Sequence, residues 1–290
     1  MKNAFKLLAK TILLVLAYII EVMVLSGILI AIGLHFPEAK VSQQVSVIQL
    51  VIAGSIGSAF AAWLVSKYSL NRISAFLILC FVLFFSNISV AIEGSLFTPD
   101  YVTGTVLVSL FVQQLLISIA FSFTAVLVFR KNFPVATEGS GIVINKLLIF
   151  KILIGSAVYM IMYYIWGWLN YNLFTKSFYE SGISGLHIPE GSILVKIILF
   201  RGFLITLSVV PFLLLARPEN KLKILETASI LFIFGGIIPM IYTFGMLPQE
   251  LILYSLVEIF LQNFISGMIV YKIFGFKNNV TESVTNEQPI

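Results

Sequence analysis

Charge is what this chain has least of. Asp, Glu, Lys and Arg make up 11% of its 290 residues, against about 25% in a water-soluble domain. That is too few to dress a globule in water, and with 59% apolar residues and a mean hydropathy of +1.04 the chain reads as a polytopic membrane protein. Cysteine is nearly absent as well. Cys80 is the single one, which excludes an intrachain disulfide and a thiolate metal cluster. Only two histidines occur, His35 and His187. The motifs of zinc proteases, phosphate-binding loops and nucleophile elbows are missing, so nothing marks an enzyme and no cofactor is implied.

What is present is long apolar runs. A helix needs roughly 20 apolar residues to cross the hydrocarbon, and eight such runs occur, at 8–34, 45–65, 73–92, 102–129, 147–169, 193–216, 224–247 and 251–274. They are continuous rather than alternating every second residue, which favours an all-α bundle over a barrel. The lysine-rich opening is followed by too long an apolar run for a signal peptide, and reads as the first span.

The net charge of +5 is a matter of topology rather than a nucleic-acid footprint. Fourteen of the 18 basic residues fall before helix 1, after helices 2, 4, 6 and 8, or at the start of helices 3, 5 and 7. By the positive-inside rule these loops and both termini face the cytoplasm of a cell membrane, with lipid headgroups as the partners of the basic surface. The polar residues 278–290 read as a disordered tail, and the sequon at 279–281 falls on the cytoplasmic side, where it has no use.

Two phrases recur. H-F-P-E at 35–38 returns as H-I-P-E at 187–190, and L-F-V-Q-Q-L-L-I-S at 110–118 returns as I-F-L-Q-N-F-I-S-G at 259–267. From His35 to Gln113 is 78 positions and from His187 to Gln262 is 75, while Pro99 and Pro248 each precede their glutamine by 14. The expectation is a tandem duplication of four-helix halves, residues 1–138 and 139–277, separated by the breaker-rich loop 131–146. Four spans per half is an even number, so the repeat is parallel, about an axis along the membrane normal. The second half carries an aromatic insertion at 170–185, expected at the outer interface.

Several polar residues interrupt the apolar runs. Glu21 divides helix 1 into pieces too short to cross alone, which sets it near the midplane as a neutral acid, a paired one or one facing water. Arg201 is also internal, since the 14 residues from 203 to 216 rise only about 21 Å at 1.5 Å each, short of the ~30 Å core. Glu258, at matching depth in helix 8, is its expected partner. Gln113 and Gln114 in helix 4, with Gln262 and Asn263 in helix 8, would converge on the axis if those helices line it.

The outer H-x-P-E frames have the residue types of a zinc site, with Glu93 and Asp100 nearby in the expected outer loop. Proline and glutamate at a helix start explain the frames without metal, so no metal site is assigned. Helix 2 has a small-residue face of Ala53, Gly54, Gly57, Ser58, Ala61 and Ala62, expected to let a neighbouring backbone come close; Gly27 and Ala31 offer the same in helix 1.

The reading that follows is a permease for a small solute or ion, its site formed by Glu21, Arg201, Glu258, Gln113, Gln114, Gln262 and Asn263. The competing readings are a membrane enzyme acting on lipid or peptide at the outer face, and a non-catalytic subunit or sensor.

Overall fold

The computed structural model describes residues 2–37, 41–99, 102–133, 144–216 and 222–275. The expectations for Glu38, Asp100, the 138/139 boundary, the sequon and the 278–290 tail lie outside these residues. Among the described residues, eight helices are long and apolar enough to span a membrane. They are α1 (Lys2–Ala31), α2 (Gln43–Lys67), α3 (Arg72–Phe97), α4 (Gly104–Val128), α5 (Lys146–Glu180), α6 (Gly191–Leu215), α7 (Lys223–Thr243) and α8 (Gln249–Gly275). The chain is therefore an integral, multi-pass membrane protein by length and apolar composition.

Local chemistry sets where the helices begin. Ser42, Asn71, Thr103 and Asn145 cap α2 to α5, each side-chain oxygen accepting the backbone N–H three residues on, at 3.4, 2.7, 3.4 and 2.8 Å. Each satisfies one of the donors that a helix start leaves unpaired. The H-x-P-E frames contribute less than expected. Glu190 stands just ahead of α6 and its carboxylate accepts from Ser192 at 2.7 Å, whereas α2 waits for Ser42, beyond the first frame.

Two helices contain π-turns, in which a residue too many is wound into the helix. One, Tyr171–Thr175, carries α5 on into Lys176–Glu180, so the aromatic insertion prolongs a spanning helix. The other, Ile233–Ile237, interrupts α7 at Gly235 and Gly236, just before Pro239.

In the first four helices α1 packs on α2 and α4, and α3 on α4; in the last four α5 packs on α6 and α8, and α7 on α8. Across the middle, α3 lies along α6 and meets the π-turn of α7, whose end in turn packs on α2. The main core is buried where these helices meet, around Ile78, Phe121, Tyr159, Val209, Phe212 and Phe234. By contrast α1 presents much of its length outward, with Ile12, Leu16, Ile20 and Met23 all exposed, as befits a face turned to lipid.

The small face of α2 is buried, but it receives rings. A Cβ on Gly54 would stand 2.6 Å from Tyr18 and one on Gly57 3.7 Å from Phe121, and those rings meet edge to face at 5.5 Å. Gly27 has nothing within 4 Å. Close backbone approach occurs instead at Gly202 of α6, against the Ser156 carbonyl of α5, and at Gly267 of α8, against Ala228 of α7.

His35 and His187 stand at one end of the bundle, the histidine end; the other is the basic end. At the basic end Lys67 pairs with Glu226, which also accepts from the Tyr68 hydroxyl, tying α2 to the start of α7. Burial, and then the bond and charge of Glu226, push the Tyr68 phenol above its ordinary value. The Lys223 ammonium donates to the Leu213 and Ala216 carbonyls at the end of α6, where a cation complements the helix dipole.

Candidate functional site

The polar centre of the molecule is built on Arg201. Ten residues into α6, its side chain is 2% exposed and its Nη1 donates to Glu93 Oε1 at 2.6 Å. Glu93 belongs to α3, which runs on to Phe97, and not to an outer loop. The expected Arg201–Glu258 pair is therefore replaced by Arg201–Glu93. The reason is packing: α3 lies directly along α6, which brings the two charges together across 108 positions of sequence. A guanidinium out of water needs such a partner, because an unpaired buried charge costs several kcal/mol. Two rings of α5 complete its surroundings, Tyr159 and Tyr163, with centroids 5.4 and 5.7 Å from the guanidinium carbon and within the range of cation–π attraction.

Glu258 lies beside this cluster with other partners. Its Oε2 accepts from Asn170 Nδ2 of α5 at 2.6 Å. Its Oε1 lies over Gly167, where an added Cβ would be 3.2 Å from the oxygen and 4.0 Å from the Tyr163 ring. Glycine at 167 thus admits the carboxylate to the surface of α5. Towards the histidine end, Tyr254 stacks on Phe174 at 4.9 Å, and Tyr179 meets Phe97 and Tyr171 at 5.9 and 6.0 Å. The aromatic insertion is a cover over the half-buried acid.

From Glu258 a polar stripe descends α8. Gln262 and Ser266 follow at intervals of four, on one face of the helix, and Asn263 stands beside them. Ser266 lies about 12 Å from Glu258 along the axis at 1.5 Å per residue. Gln262, Asn263 and Ser266 are all buried. Gln262 Nε2, both amide atoms of Asn263 and the Ser266 hydroxyl have no hydrogen-bond partner, and neither do Tyr159 Oη, Arg201 Nε and the Thr206 hydroxyl. Asn263 Nδ2 faces the π-turn of α7, within 3.4 and 3.3 Å of where Cβ atoms would stand on Gly235 and Gly236. Unpaired buried amides are rare, because each costs about 1–3 kcal/mol.

The residues expected on helix 4 do not join this stripe. Gln113 donates to Ser26 of α1 at 2.7 Å, and Gln114 is half-buried on the same helix. Glu21 is half-buried on α1, its Oε1 accepting from Thr124 of α4 at 2.5 Å and its Oε2 without a partner. The four amides do not converge, because α4 packs on α1 and α3, and α8 on α5 and α7; the central helices are α2, α3, α6 and α7. Both histidines are exposed, and among the described residues no group of three or more His, Cys, Asp or Glu is placed to hold a metal.

One contact was not foreseen in any form. Gln49 of α2 donates to the Phe244 carbonyl at 2.9 Å and lies 3.5 Å from that of Tyr242, bridging the two groups of four helices at the end of α7. In sequence Gln49 stands 152 positions before Arg201, the offset of the two histidines, with nothing to mark it as a bridge; Asn170 and the two tyrosines look like ordinary members of an aromatic helix. No family model, curated protein or solved structure matches the chain.

Proposed function

We propose that the protein is a permease for a small solute or ion, with its polar route running from the Glu258 cluster down the inner face of α8. The observation that carries this reading is the stripe that continues below the half-buried Glu258: Gln262, Asn263 and Ser266, buried yet largely unpartnered. Amides that only held helices together would be bonded to them. A π-turn alongside Asn263 supports the same reading, since such turns supply freed backbone groups and points of bending and are frequent at functional sites. Of the seven residues expected to form the route, Arg201, Glu258, Gln262 and Asn263 belong to it. Glu21, Gln113 and Gln114 brace α1 against α4.

The two halves of the reading are supported by their contacts. The pairings of the first four helices recur in the last four, each helix matched to the one four places on. The bridges between the groups match too. Gln49 and Arg201 stand at the same offset, 152 positions, as the two histidines; Glu93 and Tyr242 stand at the offset of the two prolines, 149 positions. Thus α2 reaches α7 from the position at which α6 reaches α3. We read this as an approximate twofold axis along the membrane normal, with an amide bridge on one side and an ion pair on the other. In this orientation the histidine end is outside and the basic end, with both termini, faces the cytoplasm of the plasma membrane.

The test uses apolar substitutions of similar volume. Gln262→Met with Asn263→Leu should leave thermal stability unchanged or raise it, because unsatisfied amides are removed, while solute uptake in proteoliposomes across a broad panel falls at least tenfold. Lost stability with unchanged uptake would show that the amides are structural, and would favour the subunit reading. Glu21→Gln should leave uptake within twofold of the parent. For orientation, Cys80→Ser followed by single cysteines at 35 and 187 should be labelled by an impermeant maleimide on intact cells, and one at 131 only after lysis. The reverse pattern inverts the protein.

A further inference from the structure

We propose that Glu258 is the proton-carrying group of this protein, loaded from the outer face and discharged inward along the α8 stripe, so that solute moves together with a proton. This rests on the permease reading above.

The charges around Glu258 do not balance. The cluster holds one guanidinium and two carboxylates, and Glu93 takes the guanidinium at 2.6 Å. Among the described residues, the groups that meet Glu258 are neutral apart from that pair; Lys176 and Glu180, on the continuation of α5, are exposed and pair with each other at 3.6 Å. From α5 come Asn170 and Tyr163, and from its continuation Tyr179. α6 brings Arg201 and α3 brings Glu93, already joined to one another. The charged residues of α7, Lys223 and Glu226, lie in its first turn at the basic end, and α8 itself adds Tyr254. Among the described residues Glu258 thus has no cation of its own, and a half-buried carboxylate within a spanning helix without one is neutralised by a proton. The Asn170 amide fits either form, since Nδ2 can donate to a carboxylate or to the carbonyl of a carboxylic acid. Arg201 Nε and Tyr159 Oη, both deeply buried and unpartnered, are further polar groups of the same cluster.

The position suits transfer. Glu258 is nine residues from the start of α8, about 13 Å down the axis. Above it stand the half-exposed Tyr254–Phe174 stack and the other rings of the aromatic cover, with the outer aqueous face beyond. Below it Gln262 and Ser266 continue on the same side of the helix. In the step itself a proton from outer water binds one Glu258 oxygen and makes a neutral carboxyl group; water along the stripe later accepts that proton and restores the carboxylate.

The test needs no substrate. Infrared difference spectra of the purified protein in liposomes, between alkaline and acidic pH, should show a protonated-carboxyl C=O band that Glu258→Gln removes, Glu258→Asp shifts and Glu21→Gln keeps. Uptake driven by an imposed pH gradient should fall at least tenfold in Glu258→Gln. A band indifferent to Glu258→Gln, no band at any pH, or a band displaced by added sodium would overturn the proposal, the last in favour of a metal cation. A titrating Glu258 in a protein that moves no solute would sink the permease reading alone. Solute flux with a silent Glu258 would sink the proton step alone.

Discussion

Arg201→Leu should destabilise the protein by about 3–5 kcal/mol, the cost of leaving a largely enclosed carboxylate without its cation. Glu93→Leu should do nearly the same, for the opposite reason. The two together should recover most of the loss, because a buried pair replaced by packed apolar side chains is often neutral or better. The contrast arises because Arg201 is almost wholly enclosed, with Tyr159 and Tyr163 over its guanidinium, and Glu93 is only 21% exposed, so water solvates a widowed partner poorly. A thermal-shift or detergent-denaturation series on the two singles and the double measures the coupling directly. Additive losses, or singles as stable as the parent, would show that the ion pair does not hold α3 to α6.

The second large effect is expected at Gly202. A methyl group there would lie 2.6 Å from the Ser156 carbonyl oxygen and 3.2 Å from the Ser156 Cα, and backbone cannot turn aside as a side chain can. Beside it the Ser156 hydroxyl donates to the Leu199 carbonyl at 2.5 Å, so α5 and α6 are joined where they are closest. Gly155 faces Thr206 one turn further on, at a Cβ distance of 2.6 Å. Gly202→Ala should therefore cost about 1–3 kcal/mol by forcing the helices apart, and Gly202→Leu should prevent accumulation of folded protein. Gly27→Ala, with nothing within 4 Å, is the control and should be unchanged. Equal behaviour of Gly27→Ala and Gly202→Ala would show that the α5–α6 contact is looser than described.

The spanning helices were legible because hydropathy acts on each segment separately: a run of apolar residues needs no knowledge of its neighbours to be recognised. Ends and partners were not. Glu93 sits one turn before the end of α3 and looks, in sequence, like the first residue of a loop; only the arrival of α6 makes it a helical residue facing a cation. The same holds for Gly202, an ordinary glycine until Ser156 is placed against it. Glu258 and Asn170, 88 positions apart, have no local signal at all. The recurring phrases showed which positions correspond without showing which helices touch. That is why the glutamines of α4 and the amides of α8, matched in sequence, were expected together and stand in separate places. Where sequence spoke clearly was on depth, since Arg201 inside a span had to be paired.

The π-turn of α7 carries a consequence for length rather than for contacts. A π-turn holds one residue more than the helix around it, and that residue rotates everything after it by about 100°. The carbonyls of Tyr242 and Phe244, on which Gln49 depends, thus owe their direction to a single inserted residue between Ile233 and Ile237. Deleting Gly235 would leave the hydropathy of α7 intact and still aim its end away from α2. In this segment the number of residues is as much a determinant of structure as their identity, and a variant one residue shorter should fail where most substitutions succeed.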